Sequence, residues 1–134
     1  MNCICLAKEI PAERLVKLLK KYFRLGDVKI ACFHSVDEFN DRGTSGGANI
    51  IFTPLTGDFK LWVDLYGFPE TTDDELAQFI AKLTGAAVLI TDDSINPYQW
   101  ILVSPSGKRL VHVNPAALDD QDSFVIEDIV GTTE

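Results

Sequence analysis

The sequence predicts an α+β fold, with two helices packed on one face of a mostly antiparallel sheet. Two segments show the apolar spacing of amphipathic helices, whereas the other apolar runs are short and typical of strands. Consecutive strands are joined by connections too short for a parallel crossover, which favours antiparallel pairing. With 134 residues, the chain suits a single domain, residues 1–134, with its own hydrophobic core.

The first half is predicted to contain one helix and four strands. The predicted elements are a strand at residues 3–7, a helix at 11–25, a strand at 27–34, and hairpin strands at 48–53 and 59–66. The helix carries an apolar stripe with the spacing i, i+3, i+4, i+7, formed by Leu15, Leu18, Leu19 and Tyr22. Pro11 suits the first helical position and Gly26 the end of the helix. Ser35 and Glu38 resemble a capping box, which would start a helical turn.

The second half repeats this order. A helix is predicted at residues 73–84, followed by strands at 86–91, 99–104 and 109–114, with an edge strand at 123–126. Thr72 and Glu75 form a capping box, and Gly85 ends the helix. The tail after Gly131 is expected to be mobile.

The two predicted hairpins are alike in sequence. Residues 51–57 and 102–107 share an apolar pair, a hydroxyl residue, a proline, a hydroxyl residue and a glycine. This predicts either an αβββ duplication, with half-repeats at residues 9–68 and 72–115, or convergent turn chemistry, since proline and glycine recur in unrelated turns. The sequence leaves both alternatives open.

The net charge of −8 is unevenly distributed. Residues 1–34 carry seven basic and three acidic side chains, and residues 35–134 carry five and 17, so the halves have net charges of +4 and −12. An acidic surface repels nucleic acids and anionic lipids and attracts basic proteins, although acidity also serves solubility alone. No apolar run approaches the roughly 18 residues of a membrane span, and no signal peptide is recognisable. Three cysteines fit reduced thiols, which predicts a cytoplasmic protein.

Metal and catalytic chemistry are not expected. Cys3, Cys5, Cys32 and His34 could converge on zinc if their strands were neighbours, but one intervening residue is a poor match to zinc spacing. Inert core cysteines are the alternative. The two histidines, His34 and His112, lack the partners of a nucleophilic site, so no enzyme, cofactor or metal is predicted.

Two further motifs are incomplete. Residues 43–47 are glycine-rich, but they lack the lysine of a phosphate-binding loop and precede a strand, so they predict a flexible loop. Residues 119–122 lack the later glycine and glutamate of a calcium loop and predict a solvated acidic surface.

The segment from Asp92 to Trp100 is the most informative one. It places two carboxylates, an Asn-Pro turn and two large aromatics between two apolar strands. Aromatic residues supply buried contact area and carboxylates steer association, so the segment predicts a surface for a basic protein. For Trp100 alone, a role as a core anchor is the alternative.

These features resemble the immunity proteins of bacterial toxin–immunity systems, including those of contact-dependent and type VI secretion effectors. The residues that carry the resemblance are ITDDS (90–94), NPYQW (96–100) and LDD (118–120). The resemblance implies an inhibitory complex with a cognate toxin, often a basic protein that acts on nucleic acid or nucleotides.

The leading hypothesis is therefore a binding protein that occludes the active site of a toxin. The expected contact residues are Asp92, Asp93, Tyr98, Asp119, Asp120 and Asp122. One alternative is a small enzyme or ligand-binding regulator with a cleft beside residues 91–100. Another is an assembly subunit whose helix lysines face an acidic neighbour.

Overall fold

The computed structural model describes residues 2–42 and 47–133, which form an α+β fold as predicted. The strands are β1 (Asn2–Leu6), β2 (Ile30–Phe33), β3 (Ala48–Pro54), β4 (Leu61–Tyr66), β5 (Val88–Thr91), β6 (Gln99–Ser104), β7 (Gly107–Val113) and β8 (Ile126–Thr133). The helices are α1 (Ala12–Phe23), α2 (Val36–Arg42), α3 (Asp73–Thr84) and α4 (Pro115–Gln121). Within these described ranges, no helix has the length and hydrophobicity needed to cross a membrane.

The strands form one sheet in the order β2-β3-β4-β1-β5-β6-β7-β8. All neighbouring pairs are antiparallel except β2 and β3, which are parallel and joined through α2. The predicted mostly antiparallel sheet is therefore confirmed. The first strand of the chain lies in the middle, where it pairs with β4 on one side and β5 on the other.

One face of the sheet, which we call the helix face, is covered by α1 and α3, as predicted. Leu15 and Leu19 of α1 and Leu76 and Ile80 of α3 are completely buried there. The strand residues beneath them alternate along each strand and include Ile4, Leu6, Ile50, Val63, Leu65 and Val88. Burial of each large aliphatic side chain contributes about 1.5–3 kcal/mol, so this layer is the main source of stability.

The ends of the two long helices agree only partly with the sequence signals. In α3, the Thr72 side chain accepts a hydrogen bond from the Glu75 amide and Gly85 forms the C-cap, as predicted. In α1, however, the C-cap is Arg24, with φ of 55°, instead of Gly26. The helix therefore ends two residues earlier than the glycine indicated.

Two helices lie on the opposite face, which we call the groove face. The predicted capping box starts α2, since Ser35 Oγ accepts from the Glu38 amide at 3.0 Å. Phe39 packs against Phe33 and Tyr66, with ring centroids 5.2 and 5.3 Å apart. The prediction of two helices was thus incomplete, because α2 and α4 add a second helical layer.

The fourth helix was missed by the sequence prediction. It replaces part of what was expected to be a solvated acidic loop at residues 119–122. Asn114 is its N-cap and accepts a hydrogen bond from the Ala117 amide at 2.8 Å, and Pro115 occupies the first turn. Asn-Pro before Ala-Ala-Leu was the available signal.

The strand predictions at both edges of the sheet also needed correction. The edge strand is β8, not residues 123–126, and the tail after Gly131 is paired instead of mobile, since Thr132 lies opposite Arg109. A register shift between Leu110, which pairs with Gly131, and Val111, which pairs with Ile129, leaves Val130 as an extra residue in β8. At the other edge, β2 covers only Ile30–Phe33 of the predicted 27–34, because its pairing with β3 spans only those residues.

The two proposed half-repeats differ in one connection. In the first half β2 and β3 are parallel, whereas in the second half β5 and β6 are antiparallel. Both hairpins are antiparallel, but the first closes through six residues, with Pro54 opposite Leu61, and the second through two, with Ser104 opposite Gly107, so their likeness is one of sequence. The αβββ duplication therefore remains a prediction that rests on the hairpins.

Candidate functional site

The six predicted contact residues lie at one end of the sheet, where β5 ends, β6 begins and β7 leads into α4. We call the five carboxylates among them the acidic end: Asp92, Asp93, Asp119, Asp120 and Asp122. Four of the five are exposed, and Asp92 is half-buried. Among the side chains that the structure describes, none forms an ion pair with any of the five. Their negative charge is therefore not neutralised locally.

Asp92 is held in place by the connection it begins. Its Oδ2 accepts a hydrogen bond from Gln99 at 2.8 Å, and its Oδ1 accepts one from the Ser94 amide at 3.1 Å. Burial would raise the pKa of Asp92, but these hydrogen bonds outweigh it and lower the pKa below its usual value. The side chain is therefore a fixed anion at neutral pH.

Asp92 and Asp93 line an open cleft of about 410 Å³ at the N-terminus of α3. Asp73 and Asp74 of α3 line the same cleft, so four carboxylates surround it. Asn2 donates to Asp73 at 2.7 Å, and Lys108 pairs with Asp74 at 3.1 Å. One lysine against four carboxylates leaves this side of the sheet strongly negative.

Tyr98 and Asp119 are in direct contact on the groove face. The Tyr98 hydroxyl donates a hydrogen bond to Asp119 Oδ2 at 2.6 Å. This bond to an anion raises the pKa of Tyr98, with burial and the charge of Asp119 as smaller causes. The contact fixes α4 against the connection between β5 and β6.

The sheet separates the predicted contact residues into two groups. Asp92 and Asp93 face the α3 side, whereas Tyr98 and Asp119 lie with α4 on the groove face. In the part of the chain that the structure describes, no hydrogen bond joins the two groups. Asp122, the C-cap of α4, belongs to the second group.

The groove face contains a second candidate site that the sequence did not predict. It is an open groove of about 650 Å³, and its aromatic base consists of Trp62, Trp100 and Phe124. Trp62 and Trp100 meet edge to face with ring centroids 6.4 Å apart, and Phe124 packs against both at 5.9 and 5.0 Å. Trp100 is therefore both an aromatic anchor and a lining residue.

Asp64 lies in the groove beside Trp62. Its Oδ1 accepts hydrogen bonds from the Trp62 indole at 2.8 Å and from the Cys3 thiol at 2.9 Å. Burial, followed by the hydrogen bond to Asp64, raises the pKa of Cys3 to about 12. Cys3 is therefore a neutral donor at physiological pH, and Asp64 is the anion of the pair.

The β3–β4 connection forms one wall of the groove. The Asp58 amide donates to the Phe124 carbonyl at 2.9 Å, and Thr56 is hydrogen-bonded to Ser123. Gly57 has φ of 94° and passes so close to Phe124 that a Cβ would lie 2.9 Å from its carbonyl oxygen. Only glycine fits both conditions, so this residue allows the wall to close on Phe124.

One sequence signal indicated this groove. In β4, Trp62, Asp64 and Tyr66 alternate with the buried Leu61, Val63 and Leu65. An aspartate and two aromatic residues on the face of a central strand opposite its buried leucines and valine are typical of a binding surface. Strand patterns alone could not show that Trp100 lies beside them.

The four residues considered as zinc ligands do not converge. Strands β3 and β4 lie between β1 and β2, which separates Cys3 and Cys5 from Cys32 and His34. Cys5 also packs in the groove-face core, whereas Cys32 contacts the helix-face core. Among the described residues, no group of three or more metal-ligating side chains is present. Residues 43–46 of the glycine-rich segment lie outside the described part of the chain.

No protein-family model matches this sequence, and neither curated proteins nor solved structures include a significant match.

Proposed function

We propose that this chain is an acidic protein-binding module that neutralises a cognate bacterial toxin by covering its active site. The observation that carries the proposal is the acidic end, whose five carboxylates have no cationic partner among the described side chains. A surface of this kind attracts a basic partner over distances of about a Debye length, roughly 10 Å at 0.1 M salt.

The exposure of the acidic end supports recognition of a protein surface. Asp93 has φ of 61° and is exposed at the tip of its connection. Ile95, two residues later, is fully exposed. An exposed aliphatic side chain beside fixed carboxylates suits the rim of a protein interface, where charge steers association and apolar contact slows dissociation.

The proposal requires a toxin, and the first experiment identifies one. The tagged chain is purified from its native cells, and the proteins that remain bound are identified together with the neighbouring reading frames. We expect a basic protein that kills cells in which this chain is absent and that is harmless when both are present. Copurification of a protein without toxicity would contradict the proposal.

The second experiment tests the surface. Asp92→Asn with Asp93→Asn removes two charges on the α3 side, and Asp119→Asn with Asp120→Asn removes two on the groove face. Each pair should lower the association rate roughly tenfold at low salt and reduce its salt dependence. The matched control is Glu9→Gln with Glu13→Gln, which removes two exposed carboxylates near α1. Equal rates for all three variants would show that the acidic end is not the binding surface.

A ligand-binding function is the second candidate, because the groove is a concave site with an aromatic base and a carboxylate. Its lining includes Trp100. This residue ends the segment 91–100, and the sequence predicted a cleft beside that segment as the alternative function. Its volume of about 650 Å³ lies within the range of small-molecule sites, roughly 300–1,000 Å³.

A further inference from the structure

We propose that the groove binds a small organic cation, with an alkylated ammonium group against the tryptophan rings and Asp64 as its counter-ion. The proposal does not depend on toxin binding, although Asp122 of the acidic end also lines the groove. It rests on the donors, acceptors and charges that line the groove.

The hydrogen-bonding groups of both tryptophans are already used. The Trp62 indole N–H donates to Asp64, and the Trp100 indole N–H donates to the Pro97 carbonyl at 2.9 Å. A ligand therefore meets ring surface and not ring donors. The face of an aromatic ring carries negative charge density, which attracts a cation held within about 6 Å of the ring.

The charge in the groove selects the same class of ligand. Asp64 and Asp122 line it, and none of the described lysine or arginine side chains does. An anionic ligand would be repelled by both carboxylates. A neutral apolar ligand would leave the half-buried Asp64 without a compensating charge, whereas a cation satisfies the carboxylate and the rings together.

The geometry of Asp64 favours an alkylated ammonium over a guanidinium. Its Oδ1 already accepts two hydrogen bonds, from Trp62 and Cys3, and its Oδ2 has no hydrogen-bond donor among the described residues. A guanidinium binds a carboxylate best through two parallel hydrogen bonds, which need both oxygens. An alkylated ammonium needs only charge proximity and aromatic contact.

The chain offers a specific optical probe for the test. It contains two tryptophans, and both line the groove. Tryptophan fluorescence therefore reports on this site without a background from tryptophans elsewhere in the chain. The protein is titrated with choline, and with 3,3-dimethylbutanol, in which a carbon atom replaces the cationic nitrogen; sodium chloride keeps the ionic strength constant.

We expect a saturable change in fluorescence with choline and at least roughly tenfold weaker binding of the uncharged analogue. Both indole N–H signals should shift in NMR spectra of the unaltered protein during the same titration. Equal binding of the two compounds, or no saturable change with choline, would overturn the proposal.

Asp64→Asn should weaken choline binding at least tenfold and leave the weak binding of 3,3-dimethylbutanol unchanged. Asp93→Asn is the matched control, since Asp93 is an exposed carboxylate outside the groove. The same two variants separate this proposal from the toxin-binding one, because Asp93→Asn should affect only the protein partner. If a trimethyl-lysine peptide binds and choline does not, the groove belongs to a protein interface and the small-molecule proposal is wrong.

Discussion

The hydroxyl of Tyr98 donates a hydrogen bond to the carboxylate of Asp119 across 2.6 Å. The two residues are 21 positions apart, and each lies in a segment that the sequence marked for recognition. The contact joins the β5–β6 connection to α4, the helix that lines one side of the groove through Leu118. It therefore couples the position of the acidic end to the shape of the groove.

This contact predicts a pH-dependent contribution to stability. Because the hydrogen bond raises the pKa of Tyr98 in the folded state, the contribution is fully present below the unfolded tyrosine pKa of about 10. It is lost as the pH rises through the higher folded pKa. The difference in free energy of unfolding between the unaltered chain and Tyr98→Phe should thus be constant from pH 7 to about 9 and fall at higher pH.

Denaturant unfolding at pH 7–11 measures this difference. Tyr22→Phe is the control, since the Tyr22 hydroxyl is bonded to the neutral side chain of Thr71 and not to a carboxylate. A Tyr98→Phe difference that stays the same across the whole pH range would contradict the prediction.

Gly67 is predicted to be irreplaceable for steric reasons. Its φ is 76°, and a Cβ there would collide with the carbonyl oxygen of Gly47. Gly85 has nearly the same φ, 74°, but open space around it. Gly85→Ala should cost about 1–2 kcal/mol from backbone strain, and Gly67→Ala roughly 1–3 kcal/mol more from the clash. Thermal and denaturant unfolding of the two variants compare them directly, and equal losses would exclude the clash.

Much of the fold could be predicted because its signals are local. The apolar stripe of α1, the capping box of α3 and the alternation in β4 each lie within a dozen residues. The αL conformation of Arg24 was not predictable in this way. Glycine adopts positive φ more readily than arginine, so the sequence favoured Gly26 as the end of the helix.

The groove could not be predicted because it depends on strand order. Trp62 and Trp100 meet although two strands, β1 and β5, separate β4 from β6; Cys5 and Leu89 of those strands lie in the same apolar cluster. Sequence periodicity indicates which residues share a face, but it does not say which strands are neighbours. The acidic run at residues 119–122 was interpreted as a solvated surface because of its charge. The helix whose N-cap is Asn114 was therefore not predicted.

The Cys3–Asp64 hydrogen bond predicts a change in thiol reactivity. Burial and Asp64 together hold the Cys3 pKa at about 12, so little thiolate forms at pH 8–9. Asp64→Asn removes the negative charge beside the thiol and should lower its pKa, which should speed alkylation of Cys3 by iodoacetamide. Cys32 is the internal control, since its pKa is raised by burial alone.

Mass spectrometry of peptides from native protein follows each cysteine separately. The alkylation rate of Cys3 should increase in Asp64→Asn while that of Cys32 stays unchanged. If both rates increase together, the substitution has loosened the fold; if neither changes, Asp64 does not control the thiol.

The N-cap of α4 allows the helix and the groove to be tested together. The Asn114 side chain accepts a hydrogen bond from the Ala117 amide at 2.8 Å, and α4 has only seven residues. Asn114→Ala should therefore cost about 1 kcal/mol of stability and fray a helix too short to form alone. Because Leu118 and Gln121 line the groove, the fluorescence of Trp62 and Trp100 should change as well.

Thr72→Ala is the matched control for this variant. Thr72 caps α3 through the Glu75 amide at 3.1 Å, but α3 lies on the helix face, away from both tryptophans. The two variants should lose similar stability, about 1 kcal/mol each, whereas only Asn114→Ala should alter the folded-state fluorescence. A fluorescence change in both would mean that the whole sheet has shifted. A change in neither would mean that the tryptophan rings are held by β4, β6 and Phe124 without help from α4.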